Sequence, residues 1–316
     1  MIKKLIKKCI GTIGGIMHKT GLLPKDILLV VDGGICSQMH FYLVGEMLRA
    51  RGNNVIYDLQ WFKDNGLDCD GKFCRNFDLL KLFPGLPFPQ VRSILHRKLY
   101  DWSVPHCNDF FDNDADPFAW LDLRGPLYLT GYFHDPEMMF SDFFPRCFRI
   151  DTGILTGTDQ ELLRKIEGAD NRKDCCAVHV RRGDLANYNI AYGDPASTSY
   201  FLNAMETVRQ FAGSQGKEVR YFIFSDEPAY VTEELLPLMK GYDVELCAGN
   251  GSDKGYCDLA LISRCRHIVT SQGSLGKYGA MLRPADRSDG MVTLLPNGYS
   301  AEWQPRFPNA IVIYRS

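Results

Sequence analysis

Residues 26–59 read DILLVVDGGICSQMHFYLVGEMLRARGNNVIYDL. The apolar run Asp26–Val31 is a buried-strand candidate that enters Gly33-Gly34 and then a helical stretch, Gln38–Arg51. Gly52-Asn53-Asn54 stops that helix, and Val55–Leu59 restores a strand. Strand, loop, helix and strand in this order predict a parallel sheet with a right-handed crossover.

The alternation returns further along the chain. Strands are predicted at Leu127–Phe133, Cys175–Val180, Val219–Phe224, Val244–Cys247 and His267–Ser271. Helices are predicted at Gln160–Glu167, Ser199–Phe211, Val231–Lys240, Asp258–Arg264 and Leu275–Leu282. Residues 60–125 are rich in Asp, Phe, Pro and Gly and lack a long clean period, so loops and short helices are expected there. The fold class is α/β with two facing Rossmann-like domains, at 25–152 and 153–316, after a basic segment at 1–24. The break is placed near Asp151–Thr158, where polar residues and glycines cluster.

Composition narrows the function. A length of 316 residues supplies cores without staples, and a net charge of -2 argues against a surface built for nucleic acid. The eleven cysteines are scattered and include no C-x-x-C pair, which fits reduced thiols packed as small hydrophobes in a cytoplasmic compartment. That compartment leaves the sequon Asn250-Gly251-Ser252 unused. No apolar run is long enough to cross a membrane. Before the first acid, Asp26, Lys3, Lys4, Lys7, Lys8, Lys19 and Lys25 interleave with Ile2, Leu5, Ile6, Cys9, Ile10 and Ile13 at helical spacing. This reads as a basic amphipathic helix suited to peripheral contact with an anionic membrane, or as a solvated leader.

Four constellations carry chemistry. His179-Val180-Arg181-Arg182-Gly183-Asp184 ends an apolar strand with paired cations. Alternation places His179 and Arg181 on one side and Arg182 on the other. One arginine can then reach a phosphate while the other pairs with a local acid such as Asp184. Gly33-Gly34 through Gln38 form a glycine turn at a helix start, without the third glycine of a dinucleotide fingerprint, which disfavours an oxidoreductase. Asp226, in Ser225-Asp226-Glu227-Pro228, can cap the next helix or accept hydrogen bonds from a guanine. Thr270-Ser271-Gln272-Gly273-Ser274 opens a helix with hydroxyls and amides, a second anion site that is not a P-loop.

In this order, with Gly131-Tyr132-Phe133 and Asp258-Leu-Ala-Leu-Ile-Ser-Arg-Cys-Arg-His-Ile-Val269, the elements resemble the α-1,2-fucosyltransferases of glycosyltransferase family eleven over about residues 27–285. The resemblance implies a GT-B fold, GDP-fucose as donor, inversion at the anomeric carbon and no cofactor or metal. It implies that Arg181 is catalytic and holds the β-phosphate, and that His179 lies by the guanosine. It further implies that Asp226 reads guanine, and that Gly33, Gly34, Gln38, Arg182, Asp184, Gln272, Gly273 and Ser274 belong to the donor site. His134 and Asp135 are candidates for the catalytic base, as is His40. The acceptor implied is a galactose-containing oligosaccharide, α-1,2-fucosylated; the basic N-terminus fits a lipid-linked glycan as acceptor, in O-antigen or capsule synthesis at the inner membrane face.

Cys36, Ser37, His40, Gly273, Gly276 and Lys277-Tyr278 depart from the family pattern. They motivate a second reading, a non-catalytic or altered-donor homologue that binds a GDP-sugar. Asp68-Cys69-Asp70 and Asp114-Ala115-Asp116 have the D-x-D spacing of metal-dependent transferases, but both fall in the irregular Asp-rich stretch.

Overall fold

The computed structural model describes residues 2–64, 66–67, 74–108, 119–131, 142–168, 172–187, 194–251, 253–284 and 290–315. The chain divides into two compact units. The first comprises Met1–Gly66, Arg75–Leu80 and Pro84–Cys147; the second comprises Leu67–Cys74, Lys81–Phe83 and Phe148–Ser316. Each is built on a wholly parallel sheet, giving the two α/β halves of the GT-B class.

The first unit has a four-stranded sheet of β1 (Ile27–Val30), β2 (Val55–Asp58), β3 (His106–Asn108) and β4 (Leu127–Thr130), in the order β2-β1-β4-β3. Helix α1 (Ile2–Lys19) precedes it, α2 (Ile35–Ala50) joins β1 to β2, and α3 (Ile94–Ser103) precedes β3. Helix α2 begins directly after Gly34, three residues before the predicted start, because Gly33 turns the chain at φ 71°. Among the described residues, 60–125 hold loops and short helices as expected (Gln60–Asp64, Leu79–Leu82, α3), and in addition the short strand β3. Tyr100 of α3 is fully buried, and its hydroxyl donates to Pro24 O at 3.0 Å.

The segment 1–24 is not set apart. Helix α1 lies on α3 through glycines: a Cβ on Gly11 would come within 2.4 Å of Trp102 O, and one on Gly14 within 2.6 Å of Ser103 Cβ. The division falls at Cys147–Phe148, a little before the predicted break, and Phe83 joins the second unit with its ring 5.0 Å from that of Phe148.

Helix α2 packs on β2 at one tight point. A Cβ on Gly45 would sit 2.2 Å from Tyr57 Oη. The Tyr57 ring cannot yield: it is fully buried, stacks on Phe88 at 4.1 Å, and its hydroxyl donates to Tyr42 O at 3.2 Å. Gly45→Ala is therefore expected to destabilise the protein by about 1–3 kcal/mol despite alanine's higher helix propensity. A thermal melt checks this; an unchanged midpoint would mean that the helix slides freely on the sheet.

The second unit has a six-stranded sheet of β5 (Lys173–Val180), β6 (Glu218–Ser225), β7 (Asp243–Leu246), β8 (His267–Val269), β9 (Thr293–Pro296) and β10 (Ala310–Ile313). The order is β10-β9-β8-β5-β6-β7. Its helices include α4 (Thr158–Glu167), α5 (Gly183–Asn187), α6 (Thr198–Gly213), α7 (Gly255–Arg264) and α8 (Ser274–Met281). Strand β5 is buried on both faces, hence its continuous apolar run. Helix α6 is capped by Ser197, whose Oγ accepts the Tyr200 N–H at 3.2 Å. It packs Tyr200, Phe201, Ala204, Met205 and Val208 on the sheet.

The helix predicted at Val231–Lys240 does not run through. One π turn (Val231–Leu235) is followed by one 3-10 turn (Leu236–Leu238), because Pro237 cannot donate to an α-helical carbonyl. The cysteines among the described residues are free thiols.

Candidate functional site

The sheet of the second unit has its topological switch between β5 and β8. From β5 the chain moves outward to β6 and β7, then returns to β8 on the other side of β5. Ligands of open α/β sheets bind at such a switch, beyond the carboxyl ends of the strands. Strand register brings three of the sequence constellations there. Val180 is opposite Ser225, and Val178 is opposite Val269. The chain segments that follow each strand therefore meet.

His179 and Arg181 face the same way, as the alternation predicts. A Cβ on Gly273 would lie 3.2 Å from Arg181 Cγ and 3.4 Å from His179 Cε1. One on Gly276 would lie 3.3 Å from His179 Nδ1. The missing side chains at 273 and 276 thus let the turn before α8 close down on these two residues. Ser271 ties them together. Its fully buried Oγ accepts the Arg181 N–H at 3.1 Å and lies 3.1 Å from His179 Nδ1. With that acceptor position used, its own proton can go to Nδ1, which leaves the hydrogen of a neutral imidazole on Nε2. Burial, then the nearby charges of Arg181 and Lys277, lower the His179 pKa to about 3. The ring is therefore uncharged at neutral pH.

The Arg181 Nη1 donates to Asp226 Oδ2 at 2.6 Å, and Asp226 Oδ1 accepts the Arg182 N–H at 3.0 Å. Asp226 is not the side-chain cap of the helix that follows. Both its oxygens hold the arginine segment in place. Gly183 has to be glycine here, since a Cβ would come within 2.5 Å of Asp226 Oδ2. Arg182 takes the other direction: its guanidinium lies 3.7 Å from the Tyr230 ring centroid, with Nε 3.4 Å from Glu227 Oε2. Among the described residues, the acids paired with the two arginines are Asp226 and Glu227. The backbone of Asp184 is in α5, and its side chain lies outside the described residues.

Helix α8 starts at Ser274, and its N-cap, Gly273, next to Arg181, has no side chain to cap the first amides. Such a start favours an anion. Gln272 is buried and committed to backbone: its amide donates to Asp194 O, and its Oε1 accepts the Ala196 N–H at 3.1 Å. It anchors the segment leading into α6. Lys277, where the family pattern has an aromatic residue, is buried with Nζ 5.0 Å from the Trp303 ring centroid. Sequence reasoning missed Tyr230, Glu227 and Trp303. The adjacency of Glu227 to Asp226 is their only local signal.

In the first unit, Gly33 and Gly34 follow β1 next to Gly131 after β4, at that sheet's own switch. Gln38 is fully buried there. Its amide donates to Gly33 O at 3.0 Å and Asn76 O at 2.8 Å, and its Oε1 accepts the N–H of Asp78 at 2.8 Å and of Leu79 at 3.0 Å. All four bonds hold backbone, so Gln38 shapes the glycine turn and does not reach a ligand. His40 is buried. His134 and Asp135, like both D-x-D sequences, lie outside the described residues. Asp58, at the end of β2, was not anticipated. Burial raises its pKa, while the Gln60 N–H at 2.9 Å and the Tyr128 hydroxyl at 3.2 Å bind the charged form.

Among curated proteins, the galactoside alpha-(1,2)-fucosyltransferase 1 of Leontocebus fuscicollis is 28% identical over 196 residues, covering 60% of this chain and 48% of that protein. That of Ateles belzebuth is 27% identical over 208 residues, covering 63% and 52%. The chain spans about half the length of the curated relatives it matches. Among solved structures, NodZ alpha-1,6-fucosyltransferase soaked with GDP-fucose aligns at a TM-score of 0.48 with 14% identity, over 83% of this chain and 94% of that one. POFUT1 in complex with GDP aligns at 0.47 with 11% identity, over 86% and 98%. The family model described as Glycosyl transferase family 11 matches residues 100–304, which include the ends of β5, β6 and β8 and the turn into α8. With well over half of its length matched, the chain belongs to glycosyltransferase family 11.

Proposed function

We propose that this chain transfers fucose from GDP-fucose to a hydroxyl of a galactose-containing glycan, with α-1,2 linkage, inversion and no metal or cofactor. The observation that carries the reading is Arg181. It is a cation at the switch-point strand end, fixed by Asp226 and Ser271, beside the glycine-led start of α8. The names of the curated relatives support the sugar and the linkage.

The acceptor oxygen would bond to the anomeric carbon as the carbon–oxygen bond to the β-phosphate breaks. GDP departs with that electron pair, and a base takes the hydroxyl proton. Charge grows on the leaving phosphate, so Arg181 and the first amides of α8 act most strongly in the transition state. His179, neutral, offers an N–H to the nucleotide without adding charge.

The same reading places the enzyme in the cytoplasm, peripheral at the inner membrane face, building a lipid-linked surface glycan such as O-antigen or capsule. The test is GDP release from GDP-fucose with a panel of galactose-terminated oligosaccharides, with product linkage read by NMR. Turnover that needs a terminal galactose is expected. GDP binding without turnover across the panel, or preference for another GDP-sugar, would establish the non-catalytic or altered-donor homologue instead.

A further inference from the structure

We infer that the outward face of α1 docks the first unit onto an anionic lipid bilayer, with the helix lying in the plane of the headgroups. The inference deepens the peripheral location proposed above and rests on it. At about 100° per residue, Leu5, Ile6, Cys9, Ile13 and Ile16 fall within one arc of about 100°. A surface helix ordinarily turns such an arc toward its protein. Here the arc points out: Leu5 is 63% exposed, Ile6 48%, Ile13 59% and Ile16 56%. The inward face is instead the one carrying Gly11 and Gly14, pressed onto Trp102 and Ser103 of α3. Those glycine contacts fix the rotation of α1, because turning the apolar arc inward would drive branched side chains into the α3 backbone.

Charge identifies what covers the arc. Exposed Lys8 and Lys19 follow one border of it, exposed Lys4 lies further round toward the glycine face, and no acidic residue precedes Asp26. Two copies meeting on this face would bring their lysines together, whereas anionic headgroups neutralise them while the acyl boundary takes the isoleucines. No helix among the described residues is long and apolar enough to cross a membrane, so α1 lies on the surface.

The test is co-sedimentation of the full chain with vesicles of phosphatidylcholine and phosphatidylglycerol, and with vesicles of phosphatidylcholine alone. Binding at least about tenfold tighter to the anionic vesicles is expected, with release in about 0.5 M salt. Ile13→Ser with Ile16→Ser, and separately Lys4→Glu with Lys8→Glu, are each expected to lower the partition by about tenfold or more. These side chains are exposed, so thermal midpoint and GDP affinity should stay at wild-type values and exclude misfolding as the cause. Equal binding to both vesicle types would overturn the inference, as would full binding by the serine variant. So would a concentration-dependent dimer that the serine changes abolish, without any vesicle binding. GDP release is assayed without lipid, so failure of the transferase reading would be seen separately.

Discussion

Arg181→Ala is expected to weaken GDP binding by about 10–100-fold and to lower turnover of GDP-fucose by a further factor of about 10²–10³. The first number is a charge-assisted contact to phosphate; the second is the part of that contact that strengthens as the phosphate leaves. The guanidinium is preorganised, held at 2.6 Å by Asp226 and by its own backbone N–H on Ser271. Arg181→Lys should recover part of the binding and little of the turnover, since an ammonium cannot hold Asp226 and a phosphate in one plane. Arg182→Ala is the contrast. Its side chain lies on Tyr230 and beside Glu227, so the loss in GDP affinity should stay below about tenfold. Calorimetric titration with GDP separates the three variants. Melting curves confirm folding, because Asp226 keeps the Arg182 N–H when the Arg181 side chain is gone. Wild-type GDP affinity in Arg181→Ala would remove Arg181 from the donor site.

What could be read from the sequence follows from what is local. Strand β5 was legible because a parallel strand buried on both faces is a continuous apolar run, and α6 because its buried positions recur at helical spacing. The facing of His179 and Arg181 followed from strand alternation. The role of Asp226 was not legible, because it depends on β5–β6 register that sets Val180 opposite Ser225 across 45 positions. Gln38 shows the same limit. It stands in a glycine turn and looks like a ligand contact, yet its amide is spent on backbone some forty residues away. For α1, periodicity revealed an amphipathic helix but not which face the protein covers. That was decided by glycines at 11 and 14, whose value lies in the partner helix.

Asp258→Asn is expected to stabilise the protein at pH 8 by about 2–4 kcal/mol and to leave it unchanged near pH 4. Asp258 sits in the first turn of α7 and shares Asn250 with Asp159: the Asn250 amide donates to Asp258 Oδ1 at 2.9 Å and to Asp159 Oδ1 at 2.8 Å. Burial, then the Asp159 charge, raise the Asp258 pKa from 3.8 to about 7, against the lowering by the Asn250 hydrogen bond. The native state therefore holds a proton that the unfolded chain has lost throughout the window between those values. Stability must fall as pH rises through it and level off above about 7. An asparagine keeps an acceptor for Asn250 and never ionises, so the variant should escape the fall. Other titrating groups are common to both proteins, so the difference between their stability curves isolates this carboxyl. Urea unfolding at pH 5 and at pH 8 checks it, with a gain that grows between the two. A gain of equal size at both pH values, or a loss at both, would mean that Asp258 is ionised in the folded protein and that Asn250 holds two carboxylates. The same contacts commit the Asn250 amide, so a glycan on this sequon would have to displace both carboxyls from it.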